Sequence, residues 1–325
     1  MTKSGFYVNV HINVVNNKFS TKYLVLNFLR NKPGDSVSGQ LLADELGISR
    51  VAVWKAVQSL QEAGYGICAQ GKGPSSGYAL LQDLVDSLYP WEFGEMQHQF
   101  KHFKTTDSTM DEARLLAVQD SIVSIITADE QTKGRGRLDH NWVTVQNSLS
   151  FTLITRPSIS LGFYNRLCAL SQIALVRVFE KFSGRHFFVR WPNDVWSEDG
   201  KAAGILSDVQ GTGDILAWVN LGIGINISSK PNIAKTDAVF DSTGRIPARK
   251  ELLLEFLREF KKIEKESSIN PSLMVNLWND LCPDIGKKMR VKGKTEMYEF
   301  NGLNNWAWAQ CENTVFPPGD IRFVK

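Results

Sequence analysis

Two arginines alternate with two glycines in the segment QTKGRGRLDHNW, which spans residues 131–142. Glycine allows the backbone to approach a ligand closely. Arginine presents a planar fork of donors that matches phosphate and carboxylate groups. The segment therefore predicts a binding loop for a phosphorylated or carboxylated ligand. Nucleic acid is the second interpretation, and a solvated basic loop is the third.

Three further segments carry residues of chemical interest: TTDSTMDEA at residues 105–113, RWPND with GKAAGIL at residues 190–194 and 200–206, and LGIGIN at residues 221–226. Each has an ordinary structural interpretation when taken alone. Ser108 and Thr109 suit a helix cap, and Asn193 follows a proline as in a turn. A glycine inside a strand relieves packing beneath a neighbour, and Lys201 alone would be a solvated lysine.

The elements that must position these residues alternate between strands and helices from about residue 100 onward. Hydrophobic periodicity predicts strands over residues 120–131, 148–157, 187–196, 201–210 and 216–228. Helices are predicted over residues 165–184, ended by Gly184, and over residues 248–266. Short strands with turns in the last 40 or so residues suggest a small barrel.

Residues 19–82 have the pattern of a winged helix-turn-helix. An apolar face of Leu41, Leu42 and Leu46 and the small Ala43 precede Gly47, where a tight turn needs a positive φ, and Ser49 is an N-cap for the next helix. On that helix the spacing predicts that Val53, Trp54, Val57 and Leu60 face inward. Arg50, Lys55 and Gln58 remain outside, and the wing comprises strands around GKGPSSG at residues 71–77. The alternative interpretation is that any three-helix unit can produce this spacing of residues.

Composition narrows the possible classes of protein. The chain has 325 residues, enough for two or three domains, and a net charge of +3, so nucleic-acid binding requires a local motif. Its four cysteines form no C-x-x-C pair, which indicates reduced thiols in a cytoplasmic protein. The sequence has no signal peptide and no membrane span, and its scattered histidines make a zinc site improbable. Residues 7–14 alternate like a strand, or form a loose tail.

Taken together and in this order, the four motifs resemble those of the biotin–protein ligases, over roughly residues 20–325. The N-terminal unit is similar to that of the bifunctional members, which also repress biotin-synthesis genes. The resemblance implies an α+β multidomain fold with a winged helix-turn-helix, a central mixed α/β ligase domain of the biotin/lipoate ligase type, and a C-terminal SH3-like β-barrel. The predicted parts are an N-terminal extension, the DNA-binding domain, the ligase domain and the barrel, at residues 1–18, 19–82, 83–275 and 276–325.

The same resemblance implies a role for each candidate residue. Lys201, Arg135 and Arg137 are the expected catalytic residues, because they would offset repulsion between the carboxylate of biotin and the phosphates of ATP. The expected biotin-binding residues are Ser108, Thr109, Gln131, Gly134, Arg135, Arg137, Trp142, Lys201, Gly222 and Gly224. The expected ATP-binding residues are Arg137, Trp142, Asn193 and Asn226, with Mg²⁺ held through the phosphates. The expected DNA-binding residues are Ser49, Arg50, Lys55 and Gln58.

The implied partners are a biotin carboxyl-carrier protein, operator DNA and a second copy of the chain in a ligand-dependent homodimer. The sequence departs from the family pattern at Leu138–Asn141 and at Met110, where asparagine is frequent. A ligase with a non-regulatory winged helix and a ligand-sensing transcription factor without ligase activity are the alternatives. The related lipoate ligases share the fold, but the GRGR core and the G-x-G-I-N strand favour biotin.

Overall fold

The computed structural model describes residues 19–70, 77–137, 140–240, 245–291, 294–312, 314–318 and 321–323. They form two compact units, which divide between Lys101 and His102. The extension at residues 1–18, most of the wing turn, and Leu138 with Asp139 of the basic loop lie outside the described residues. In the described part of the chain, no helix has the length and apolar character needed to cross a bilayer.

The first unit is a helix-turn-helix followed by a hairpin. Its elements are α1 (Thr21–Arg30), β1 (Val37–Ser38), α2 (Gly39–Leu46), α3 (Arg50–Ala63), β2 (Gly66–Gln70) and β3 (Gly77–Gln82). The strands form a three-stranded sheet in the order β1-β3-β2. Gly47 ends α2 with a φ of 63°, and the Ser49 hydroxyl caps α3 by accepting from the Ala52 amide at 3.1 Å. The predicted turn glycine and N-cap are confirmed.

The predicted apolar face of α3 is correct except at one residue. Val53, Val57 and Leu60 are buried, whereas Trp54 is 49% exposed, so its predicted inward orientation is wrong. On α2, Leu42 is buried but Leu41 is also exposed. The buried stripe of a surface helix is only about 100° wide, and Trp54 lies just beyond its edge.

The segment that follows β3 belongs to the same compact unit. Glu92 has a fully buried side chain, and it accepts a hydrogen bond from Arg30 Nη2 at 2.8 Å. The Tyr65 hydroxyl also donates to Glu92. Burial, together with the negative charge of Glu92, raises the pKa of Tyr65. These contacts connect the short helix Pro90–Glu92 to α1 and to the residue that precedes β2.

The second unit is built on a seven-stranded sheet in the order β4-β5-β6-β10-β9-β8-β7. Its strands are β4 (Phe100–Thr106), β5 (Ile125–Gln131), β6 (Leu149–Thr155), β7 (Phe188–Arg190), β8 (Asp194–Trp196), β9 (Lys201–Thr212) and β10 (Ile215–Ile225). Its helices are α4 (Thr109–Val118), α5 (Asn165–Ser183), α6 (Arg249–Ile269) and α7 (Pro271–Asp280). The long central strands β6, β10 and β9 pair antiparallel.

Apolar layers cover both faces of this sheet. On one face α5 packs against α6 and α7, and Phe151 of β6 contacts Phe256 of α6 edge-on, with ring centroids 5.3 Å apart. On the other face, Ala113 and Ala117 of α4 belong to a buried cluster with Trp218 of β10. Because successive residues of a strand point to opposite faces, every second residue of β10 faces the side of α4.

The C-terminal residues form two small sheets. One contains β11 (Lys288–Val291), β12 (Met297–Glu299) and β15 (Ile321–Phe323), and the other contains β13 (Ala309–Cys311) and β14 (Thr314–Phe316). The predicted short strands are therefore present.

Candidate active site

Ten of the predicted ligand-binding residues line one cavity of about 330 Å³ in the second unit. They are Ser108, Thr109, Gln131, Arg135, Arg137, Trp142, Asn193, Lys201, Gly222 and Gly224. The residues come from the N-terminus of α4, the end of β5, the basic loop, the turn before β8, the start of β9 and the C-terminal end of β10. A cavity of this size fits a small-molecule ligand, whose sites span roughly 300–1,000 Å³.

The basic loop is folded as a narrow hairpin. The Trp142 amide donates to the Gly134 carbonyl at 2.9 Å, and the Gly136 amide donates to the His140 carbonyl at 2.7 Å. At its base, Lys133 Nζ lies 2.9 Å from Asp107 Oδ2. A hydrogen bond from Thr132, together with this contact from Lys133, lowers the pKa of Asp107. The hairpin brings Arg135 and Arg137 to the rim of the cavity.

Lys201 and Arg135 form ion pairs with carboxylates on neighbouring elements. Lys201 Nζ lies 2.7 Å from Asp194 Oδ1, at the start of β8. Arg135 pairs with Asp111 in the first turn of α4. Each carboxylate orients the side chain of its cation.

Arg137 has a different environment. Its Nη1 donates to the neutral Asn193 Oδ1 at 3.3 Å, and Asn193 Nδ2 donates to the Ile205 carbonyl at 2.6 Å. Burial lowers the pKa of Arg137, and the charge of Asp194 opposes that shift. A lowered pKa means that the folded site destabilises the charged form. An arriving phosphate or carboxylate would therefore stabilise the Arg137 guanidinium.

A hydrogen-bond network lies at the N-terminus of α4. Gln131 Oε1 accepts from the Thr109 amide at 2.8 Å and from Thr109 Oγ1 at 3.1 Å. The Thr152 hydroxyl donates to Thr109 Oγ1 at 2.9 Å, and Ser108 caps α4 by accepting from the Met110 amide at 3.3 Å. Hydroxyls and a side-chain amide supply both donors and acceptors. This end of the cavity suits a ligand group that needs both.

Two glycines on paired strands form a flat floor beneath Trp142. Gly224 of β10 is directly opposite Gly204 of β9. A Cβ atom on Gly224 would overlap the indole of Trp142, and one on Gly204 would lie 2.9 Å from Lys201 Nζ. At Gly222 the added atom would lie 2.6 Å from Met110 Sδ. The space above Gly222 and Gly224 is therefore filled by Met110 and Trp142 in this structure.

Two predicted ligand-binding residues do not line the cavity. Gly134 lies against the backbone of Trp142, where a Cβ would come within 2.5 Å of the Trp142 carbonyl oxygen. Asn226 is only 2% exposed, and its Nδ2 donates to the Asp237 carbonyl at 3.1 Å and the Lys201 carbonyl at 3.4 Å. In this structure both residues support the backbone of a neighbour that does line the cavity.

Sequence reasoning did not single out Asp111, Asp194 and Thr152. Asp194 is the last letter of RWPND, next to the selected Asn193, and Asp111 lies three residues after Ser108. Both lie within the motifs named above, but an anionic ligand predicts cationic side chains at its site and gives no reason to expect carboxylates there. Thr152 had no local signal, since only the antiparallel register of β6 and β10 places it beside Gly222.

The predicted DNA-binding residues lie along α3, from its N-cap to its ninth residue. Ser49, Arg50, Lys55 and Gln58 are all exposed. Ser49 serves as the helix cap. Lys55 and Gln58 project from the face opposite the buried Val53 and Val57, whereas Arg50 is exposed because it is the first residue of the helix. This is the helix that a helix-turn-helix places in the major groove.

The second unit is a mixed sheet that carries a cation-rich cavity, and a helix-turn-helix precedes it in the chain. Residues 102–226 match the model of the biotin/lipoate A/B protein ligase family, and residues 21–78 match that of an HTH domain. The segment 102–226 is thus similar to the biotin/lipoate A/B protein ligases, and a helix-turn-helix domain precedes it in the chain.

The chain is also similar to curated proteins and to solved structures. The chain is 29% identical to the bifunctional ligase/repressor BirA of Bacillus subtilis over 276 residues, covering 79% of this chain and 82% of that protein. It is 35% identical over 129 residues to the biotin--[acetyl-CoA-carboxylase] ligase of Paracoccus denitrificans, covering 39% of this chain and 54% of that protein. Among solved structures, the biotin protein ligase from Aquifex aeolicus in complex with biotin and ATP shares the fold, with a TM-score of 0.55 and 23% identity over 70% of this chain and 99% of that chain.

The glycine floor generates a first prediction. We expect Gly224→Ala to displace Trp142 and to weaken binding of biotin and ATP about tenfold or more, because overpacking typically costs about 1–3 kcal/mol. Gly224 does not have a positive φ, so the added methyl group alone is responsible. Isothermal titration calorimetry measures both affinities.

Gly162→Ala is the matched control, since a Cβ there meets nothing within 4 Å. Unchanged affinities in Gly224→Ala would contradict the packing of Trp142 on this floor.

Proposed function

We propose that the chain is an ATP-dependent biotin–protein ligase. It forms biotinyl-5′-AMP from biotin and ATP, and it then transfers biotin to a lysine of a biotin carboxyl-carrier protein. The observation that carries the proposal is the convergence of Lys201, Arg135 and Arg137 with the Thr109–Gln131 network in one cavity. That cavity lies in the segment that matches the ligase family.

Electrostatics explains why this cavity suits the first step. The carboxylate oxygen of biotin attacks the α-phosphorus of ATP, and the bond to pyrophosphate breaks. Both reactants are anions, so fixed cations are needed where their charges meet. Lys201 would contact the reacting carboxylate and α-phosphate, with Arg137 and Asn193 on the nucleotide side. Magnesium is expected on the phosphates.

The second step requires no covalent enzyme nucleophile. The amine of the acceptor lysine attacks the acyl carbon of the adenylate, and the bond to AMP breaks. The amine loses a proton as the amide forms. Arg135 and Arg137 would hold the phosphate of the departing AMP, and the loop that carries them would shield the labile anhydride from water.

The polar and apolar ends of the cavity suit the two parts of biotin. The ureido ring has both donors and acceptors, and a buried polar group of this kind needs partners. Ser108, Thr109 and Gln131 would provide them. Trp142 would contact the valeryl tail and the nucleotide, and Gly222 and Gly224 would allow the ring to approach β10. Gly134 and Asn226 would act by supporting Trp142 and Lys201.

Regulation of transcription is the second part of the proposal. The helix-turn-helix, with Ser49, Arg50, Lys55 and Gln58 exposed on α3, supports binding to operator DNA. The chain would act as a homodimer that binds DNA better when the adenylate is present. A ligase with a non-regulatory winged helix and a sensor without ligase activity are the alternatives, and the two assays below separate them.

Three finer points complete the proposal. The C-terminal strands would close into an SH3-like barrel as a third domain. The domain bounds expected from the sequence, residues 19–82, 83–275 and 276–325, stay predictions. All four cysteines are free thiols, which supports a cytoplasmic location.

The central cation gives the direct test of ligase activity. We expect Lys201→Ala to lower the rate of adenylate formation by several hundredfold, because loss of one preorganised donor typically costs about 3–4 kcal/mol of transition-state stabilisation. The assay incubates the protein with ATP, magnesium, biotin and a biotin-acceptor domain, and follows the mass of the acceptor. Pyrophosphate release reports the first step separately.

Lys133→Ala is the control, because Lys133 belongs to the same basic loop but pairs with Asp107 outside the cavity lining. Adenylate synthesis at the wild-type rate in Lys201→Ala would remove Lys201 from the mechanism. A wild-type protein that leaves the acceptor unmodified would refute the ligase function.

Arg135 generates a prediction about retention of the intermediate. We expect Arg135→Ala to speed release of biotinyl-5′-AMP about tenfold or more, with a smaller effect on biotin affinity, because the loop loses both its contact with Asp111 and its phosphate contact. Stopped-flow dissociation of the adenylate and calorimetry with biotin measure the two quantities.

Arg114→Ala is the control for loss of an arginine–aspartate pair, since Arg114 on α4 pairs with Asp208 instead. If only biotin affinity falls in Arg135→Ala, the phosphate role of Arg135 is wrong.

The regulatory proposal predicts that biotin and ATP together strengthen DNA binding and dimerisation. Residues 19–82 carry six Lys/Arg and four Asp/Glu, so one unit offers few phosphate contacts. Two units on one dimer gain from effective concentration. The measurement is a titration of the biotin-gene promoter with and without biotin and ATP, alongside sedimentation. Equal binding by a monomer in both conditions would disprove the coupling, and no binding in either would disprove the regulatory role.

A further inference from the structure

The outward face of α3 carries two large apolar side chains among its polar ones. Val51 is 60% exposed and Trp54 is 49% exposed. They lie three residues apart, so they are neighbours on one side of the helix. Arg50 and Lys55 flank them, and residues 49–61 contain no aspartate or glutamate. This face is therefore apolar at its centre and positively charged around it.

A groove continues this face toward the hairpin. Val51, Trp54 and Arg50 line an open groove of about 490 Å³ together with Tyr78 of β3. The other lining residues are Gly39, Ala69 and Gly77, which are small. The apolar side chains thus line an open groove that is accessible to another molecule.

Charge complementarity favours one occupant. In a symmetric contact between two copies of this face, Arg50 and Lys55 of one helix would meet those of the other, with no carboxylate on this stretch of α3 to offset them. Duplex DNA supplies phosphates for the cations. Its major groove also supplies an apolar group, the 5-methyl of thymine, which apolar side chains contact.

We infer that Val51 and Trp54 read thymine methyl groups in the major groove, while Arg50 and Lys55 contact the flanking phosphates. The inference rests on the proposed binding of DNA and adds sequence selection to it. Polar readout by Gln58 alone would leave two apolar side chains facing water or phosphate. Contact with the methyl groups would bury the side chains of Val51 and Trp54. It would also make the affinity for DNA depend on the position of thymine.

Removal of single methyl groups from the DNA tests the inference. A preferred duplex is first selected from a random-sequence pool by the full-length protein with biotin and ATP. Each thymine is then replaced by deoxyuridine, which deletes only the methyl group. We expect at least one replacement to weaken binding by the wild-type protein about fourfold, which corresponds to the free energy of burying one methyl group. The same replacement should weaken binding by Trp54→Ala or Val51→Ala less than twofold.

Two control variants separate apolar readout from other effects. Lys55→Ala should weaken binding to all duplexes and reduce the salt dependence by about one phosphate contact, with the loss from deoxyuridine unchanged. Val85→Ala removes an apolar side chain of the same unit that is 78% exposed and should change nothing. Thermal unfolding checks that each variant is folded, and the wild-type measurement alone decides the matter if Trp54→Ala is unstable.

Each outcome bears on the inference. A wild-type protein that binds all deoxyuridine duplexes as tightly as the parent, or a selected site without thymine, overturns it while leaving DNA binding intact. A protein that selects no sequence at all overturns it together with the regulatory role. Loss of methyl discrimination in Trp54→Ala or Val51→Ala, but not in Lys55→Ala, supports it. None of these results affects the ligase assay.

Discussion

The ligand cavity depends on the orientation of three cationic side chains, those of Lys201, Arg135 and Arg137, around a space of about 330 Å³. Lys201 and Arg135 are oriented by pairing with Asp194 and Asp111, which lie on separate elements. The pair with Asp194 depends on an irregular step in the pairing of β8 with β9, between Val195 and Trp196. Bulges of this kind often lie beside active sites because they redirect a side chain. The partly buried carboxylate of Asp194 orients Lys201, whereas the exposed carboxylate of Asp111 orients Arg135 only weakly.

The same cavity depends on the absence of side chains from its floor. Gly204 and Gly224 face each other on the two longest strands, and the indole of Trp142 lies across them. The packing of the basic loop on the sheet is therefore encoded in β9 and β10 as much as in the loop. A ligand that enters above Gly222 must compete with the side chain of Met110. Methionine is flexible enough to move aside, whereas Trp142 is a rigid wall.

The sequence predicted correctly those features that depend on a single residue or on a short motif. The turn at Gly47 and the cap at Ser49 each follow from the backbone needs of one residue, and the family motifs brought ten residues into one cavity. Periodicity was wrong at Trp54 because it assigns a stripe of positions and does not locate the edge of that stripe. The partners of the cations were not predicted, since Asp194 meets Lys201 only through strand register. Asn226 continues the alternation of Gly222 and Gly224, but β10 ends at Ile225, and the amide turns to support the backbone at Lys201.

The energetics of the Arg135–Asp111 pair bear on how the loop responds to ligand. Both side chains are exposed, and exposed ion pairs contribute about 0–1 kcal/mol because water screens them. Transfer of Arg135 from Asp111 to a bound phosphate therefore costs little free energy. The backbone bonds of the hairpin, from Gly136 and Trp142, need not break in that transfer. The loop consequently has a weak side-chain latch on a stable backbone, and a ligand that engages Arg135 changes which surface the loop presents without unfolding it. A ligand can shift an equilibrium only by its differential affinity for the two states, which here are the loop with Arg135 on Asp111 and the loop with Arg135 on phosphate. Because the pair with Asp111 is weak, little of the binding free energy is needed to break it, and the rest can drive a change elsewhere in the protein.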